Sequence, residues 1–138
     1  MKIDKVRYVK NPSTINGVIV ENNALKALEM IKNGQSVARF EFGNSMHPIL
    51  TSGEYCILCP LNGREANIGD AVFCEVNGYL MTHMVLMKSR NASEDRPYYL
   101  IGSTDGQLYG WTKKVYALAQ GTRVLELEDD LFSEIDQD

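Results

Sequence analysis

Two side chains in this sequence carry complementary proton-transfer chemistry: the hydroxyl of Ser45 and the imidazole of His83. A serine hydroxyl becomes a nucleophile when a nearby base takes its proton, and a neutral imidazole does so near pH 7. Ser45 lies in residues 40–50, FEFGNSMHPIL. Phe40 and Phe42 alternate with Glu41 in the period of a strand, and Gly43 can take backbone angles closed to other residues. The pattern predicts a strand that ends in a Gly-Asn turn. Ser45 then sits at the tip, between Met46, which can pack back on the body, and Pro48, which stiffens the exit. Gly, Asn, Ser and Pro are also the ordinary residues of turns, so a purely structural Ser45 fits the same stretch.

His83 belongs to YLMTHMVLM, where strand alternation puts it on one face with Met81, Val85 and Met87, and puts Thr82, Met84 and Leu86 on the other. One face should be apolar and largely buried. There His83 reads either as a core residue whose ring nitrogens find backbone partners, or as a general base that apolar surroundings hold neutral. His47, two residues after Ser45 on the same turn, is too close along the chain to point easily at that hydroxyl. Ser45 and His83 are therefore the pair to combine.

The elements that must position them follow from periodicity. Residues 1–20 hold short β-prone pieces, VRYV and GVIV, around the turn-like NPSTING, and suit an edge hairpin or a loosely attached arm. Asn23 offers an N-cap, Leu25, Leu28 and Ile31 a common apolar face, and Gly34 a stop, which predicts an amphipathic helix over residues 24–33. The period then changes to two: VARFEF, EYCILC after Ser52-Gly53, and DAVFCEV after Gly69. Asn77-Gly78 marks a tight hairpin into YLMTHMVLM. A polar loop KSRNASEDRP, a strand YYLI, a turn-rich GSTDGQLYG and a last strand KVYALAQGTRVLEL complete the body. The expected class is mainly β and antiparallel, with one short N-terminal helix.

Length and composition set the remaining limits. A chain of 138 residues with 44% hydrophobic residues suits one domain with a single core. Of its 18 acids, seven (Glu126, Glu128, Asp129, Asp130, Glu134, Asp136, Asp138) fall in the last thirteen residues, which contain no base. That leaves eleven acids against 14 bases before Glu126, a body of net charge +3. No basic run interleaved with aromatics appears, so a nucleic-acid partner is not expected. The tail over residues 128–138 reads as a solvated, disordered acidic segment, with docking through Leu131, Phe132 and Ile135 as the competing reading. No apolar run approaches the roughly 18 residues of a membrane span, and MKIDKVRYVK has no signal-peptide core. Three cysteines without an export signal point to reduced thiols in a cytosol-like compartment. Cys56 and Cys59 form a CxxC, but three residues apart in a strand they face opposite sides and would not converge on a metal.

At this point five blocks, in order, resemble the serine peptidases of the type I signal peptidase and LexA repressor superfamily, over residues 24–125. GNSMHPIL followed by SGEYCIL is similar to the nucleophile segment Gly-x-Ser-Met-x-Pro-x-Leu with its Gly-acid strand. IGDAVFCEVNGYLMTHMVL resembles the Gly-Asp-x-Val strand, hairpin and base-bearing strand. YYLIGSTDG resembles the segment that reads Gly-Asp-Asn in signal peptidases, and VYALAQGTRV the closing strand with its Gly. The resemblance implies a coiled β-ribbon or partly open barrel over residues 21–127, Ser45 as nucleophile and its backbone N–H as an oxyanion donor. The base position falls on Thr82-His83-Met84, so His83 would replace the lysine of the bacterial and LexA-type members, as in the endoplasmic-reticulum and archaeal signal peptidases.

This chain also departs from that pattern. Ser103 stands where the signal peptidases place an acid, and the nearest carboxylate, Asp105, would orient His83 if its loop reaches. Gly43 lacks the hydroxyl that assists the oxyanion hole, for which the Asn44 side chain is the substitute. Upstream, only Asn16-Gly17 could be compared with the small-residue-Gly bond that LexA-type proteins cut in themselves, and it is not such a site. The resulting expectation is a soluble, cytoplasmic endopeptidase of a bacterial or phage-infected cell. It would cleave a protein substrate in trans, without cofactor, metal or membrane span. The alternative is a peptidase-fold module that has relaxed its site and serves binding or assembly.

Overall fold

The structure, a computed structural model, describes residues 12–40, 55–91 and 93–122. Near the start of this range, Asn16-Gly17 turns a two-stranded hairpin between β1 (Thr14–Ile15) and β2 (Val18–Ile19). Both turn residues have positive φ, 51° and 79°, the geometry that matches the twist of a tight hairpin. Helix α1 (Ala24–Lys32) follows, capped where the sequence signals it. The Asn23 side-chain oxygen accepts from the Lys26 N–H at 3.0 Å. At the other end Gly34, with φ +85°, lets the Gln35 N–H reach the Met30 carbonyl at 3.0 Å and closes the last turn.

The helix buries Ala27, Leu28 and Ile31, with Ala24 and Met30 beside them. Leu25 corrects the expected apolar face, since it is 72% exposed. At about 100° per residue, successive steps of three drift by about 60° each, and the buried arc centres on positions 24, 27, 28 and 31 instead.

Seven antiparallel strands form the main sheet: β3 (Val37–Phe40), β4 (Tyr55–Pro60), β5 (Ala71–Val76), β6 (Tyr79–Ser89), β7 (Tyr98–Gly102), β8 (Leu108–Thr112) and β9 (Val115–Thr122). Their order is β3-β4-β9-β5-β6-β7-β8, not closed into a barrel. The β3 edge is covered, because Val20 bridges Ala38, the Glu21 N–H donates to the Ala38 carbonyl, and the Asn22 side chain accepts from the Phe40 N–H. Strand β5 is buried on both faces, which is why AVFCEV reads as one apolar run. Ala71 and Phe73 point to the helix with Leu58, Ala117 and Ala119, while Val72, Cys74 and Val76 join Val85, Tyr99 and Ile101 in a second core on the opposite face.

Three register shifts bend the sheet, at Phe73/Cys74, Val85/Met87 and Ile101/Gly102. The second overturns one sequence expectation: Met81 and Val85 do share the face of His83, but Met87 is turned out to solvent. The third lies in a stretch read from sequence as turn, where Leu108–Thr112 in fact forms β8. The bending also carries β8 back over β5, where the Thr112 hydroxyl donates to the Glu75 carbonyl at 2.7 Å.

The packing predicts a contrast between two leucines of one helix. Leu28→Ala should cost about 2–5 kcal/mol, whereas Leu25→Ala should change stability by no more than about 0.5 kcal/mol. Urea denaturation midpoints of the two variants check this.

Candidate functional site

The Asn77-Gly78 hairpin fixes the register of β6 against β5 and so sets His83 opposite Val72. Asn77 and Gly78 have φ 51° and 87°, as a two-residue hairpin of this type requires. On that face the imidazole is half-buried among Met81, Val85 and the neighbours of the second core. The Tyr109 ring lies against it, with centroids 4.3 Å apart and planes inclined by 23°. The His83 Nδ1 atom is buried and has no hydrogen-bond partner among the described residues. Burial therefore pushes the imidazole below its ordinary pKa, and the negative charge of Asp105 offsets part of the effect.

Asp105 sits exposed in the turn between β7 and β8. Its carboxylate accepts from the Ser103 hydroxyl and, at 3.4 Å, from the Gln107 N–H, and these bonds hold it below the usual carboxylate range. Ser103 itself is only 1% exposed, and its backbone N–H donates to the Gln107 carbonyl at 2.9 Å. The turn is thus self-contained. Asp105 acts on His83 through its field, and its hydrogen bonds go to its own turn.

Ser45, Asn44 and Gly43 lie outside the described residues, as does the acidic tail. The described ends of the segment that carries Ser45 are Phe40 and Tyr55, which are paired across β3 and β4. Register and alternation put this pair on the sheet face of His83: Tyr55 shares its face with Ile57 and Cys59, Cys59 opposes Leu118, Leu118 opposes Val72, and Val72 opposes His83.

Cys56 is buried on the helix side and Cys59 is half-buried on the other, so the two thiols do not converge. Among the described residues no group of three or more His, Cys, Asp or Glu side chains could hold a metal ion, and no helix is long and apolar enough to cross a membrane. A surface cavity of about 250 Å³ lies between the Leu61–Glu65 segment and Asp95–Pro97, and His83 does not line it. Its charged rim mixes Arg64, Arg96 and Lys113 with Glu65 and Asp95, which selects no ligand charge.

Family models, curated proteins and solved structures give no match to this chain. Tyr109 is a neighbour that the sequence does not point to, since GSTDGQLYG reads as turn; the alternation in LYGWT is the available signal.

The lowered pKa of His83 has a definite sign in stability. The folded state binds the imidazole proton less readily than the unfolded chain, whose histidine titrates near 6.5, so the unfolded state gains protons first as pH falls. The neutral-histidine contribution is complete above about pH 6.5 and declines below it. Wild type should therefore lose more thermal stability than His83→Gln between about pH 7.5 and 5.5. Equal losses in both proteins would contradict the burial of His83. Asp105→Asn removes the charge that favours the imidazolium and should lower the His83 pKa further, as read by an NMR titration of the ring.

Proposed function

We propose that this chain is a serine endopeptidase of the type I signal peptidase and LexA-like kind, in which Ser45 is the nucleophile and His83 the general base. The observation that carries the reading is the state of His83: half-buried, held toward neutrality, with one ring nitrogen unpartnered and a carboxylate field nearby. A histidine serving only as core filling would be expected to satisfy both ring nitrogens.

The reach of the chain is compatible with the pairing. Ser45 is five residues from Phe40, a span of up to ~17 Å when extended. From Phe40 to the level of His83 is four residues along the sheet and four strand spacings across, roughly 23 Å on a flat sheet. Coiling of the sheet and the two side chains shorten that gap.

In the proposed reaction, neutral His83 takes the Ser45 proton as the serine oxygen attacks the scissile carbonyl. The backbone N–H of Ser45 and the Asn44 side chain donate to the oxyanion. The field of Asp105 favours the imidazolium formed in this step. His83 then returns its proton to the leaving amine, and water releases the acyl group by the same route. An extended peptide that adds as a strand beside the site is the substrate this arrangement suits.

The test is labelling with a fluorophosphonate, read by intact mass. Wild type should form one adduct at Ser45. Ser45→Ala should form none, and His83→Ala should react about 10²–10⁴-fold more slowly. No adduct in wild type, under conditions where a known serine peptidase reacts, rejects the enzyme reading in favour of a binding or assembly module.

A further inference from the structure

The ring stacked on His83 belongs to a strand three positions away in the sheet order from β5 and comes over the imidazole through an irregularity. Between β7 and β8, Ile101 pairs with Gly110 and Gly102 with Leu108, which leaves Tyr109 as the extra residue of a bulge. Bulges of this kind re-aim a side chain. Here the displaced residue is turned into the second core and lies flat against His83. Two features hold it there. Gly110, at φ +135°, lies so close to β5 that an added Cβ would stand 3.2 Å from a Val76 methyl. The Asn77 side-chain amide donates to the Tyr109 carbonyl at 3.5 Å, which ties the bulge to the hairpin that sets the register of His83.

We propose that Tyr109 is a positioning residue for the base: its stacked ring fixes the rotamer of His83 and closes one face of the imidazole to water. The role in catalysis rests on the function proposed above, while the effect on His83 is independent of it. Among the described residues, the titratable groups on the face of His83 are Asp105 in the β7–β8 turn, Tyr109 itself on β8, Cys74 on β5 and, deeper in the same core, Tyr99 on β7, while Glu75 of β5 points to the other face. Burial pushes the Cys74 thiol up to about 12, so it is uncharged at neutral pH. Asp105 is exposed and holds its carboxylate within its own turn, so among the described residues the flat contact with Tyr109 is the one that fixes the plane of the ring.

The experiment measures His83 and activity separately in Tyr109→Phe, Tyr109→Leu and Tyr109→Ala. In NMR, the His83 ring protons of wild type and Tyr109→Phe should carry an upfield ring-current shift, and both proteins should titrate alike. Tyr109→Leu keeps apolar volume and guards against a variant that fails to fold; it should lose the ring-current shift. Tyr109→Ala should also titrate closer to the ordinary imidazole value. Fluorophosphonate labelling of Ser45 should fall on the order of 10-fold in Tyr109→Ala and recover in Tyr109→Phe. Unchanged His83 shifts and titration in both Tyr109→Leu and Tyr109→Ala overturn the proposal. Altered His83 with no labelling in wild type sustains the positioning role and rejects the peptidase reading.

Discussion

The peptide groups of Glu75 are gripped from both sides by the corner that joins β8 to β9. The Thr112 hydroxyl donates to the Glu75 carbonyl, the Glu75 N–H donates to the Lys114 carbonyl at 2.9 Å, and the Lys114 N–H donates in turn to the Thr112 hydroxyl oxygen. Strand order alone would leave β8 at the far edge of a seven-stranded sheet. The clasp at Glu75 folds that edge back on the central strand, so the second core closes among Val72, Val76, Tyr99, Ile101 and Val115. Each bond satisfies a backbone group that would otherwise be costly to bury. Glu75 is also the one residue of β5 that is not fully buried, and its carboxylate meets Lys114 and Tyr116 on the other face.

The chemistry at His83 depends on this curvature. On a flat sheet its face would be open to water and its pKa ordinary; on the coiled sheet it is half-buried beside Tyr109 and within the field of Asp105. Burial disfavours the imidazolium and the carboxylate favours it. Burial is the larger effect, so the ring rests in the form that accepts a proton. The exposed position of Asp105 leaves its influence on His83 screened by solvent and smaller than that of burial.

Much of the architecture is legible in the sequence because local signals agree with the tertiary result. Asn23 and Gly34 bracket α1, Asn77-Gly78 turns the long hairpin, and AVFCEV is apolar on both faces because both faces are covered. The failures have physical causes. Strands β1 and β2 have two residues each, too few to show a period, so the sequence leaves an edge hairpin and a loose arm both open and does not bound the strands beside Asn16-Gly17. Strand β8 contains Gly110 and a bulge, and its pairing with β7 and its contact with β5 supply what propensity does not. The His83–Tyr109 stack joins residues 26 positions apart through that bulge, and no local pattern encodes it. Of the candidate site, the types and spacing of His83 and Asp105 single them out in the sequence, whereas the bonds that hold Asp105 to Ser103 and Gln107 follow from the turn geometry.

The most direct measurement is the pH dependence of fluorophosphonate attack on Ser45, compared with an NMR titration of His83 in the same buffer. If His83 is the base, the labelling rate falls on acidification with a single apparent pKa below about 6.5, equal to that of the imidazole. A rate that ignores the titration of His83, or follows a different pKa, would show that Ser45 takes its activation from elsewhere.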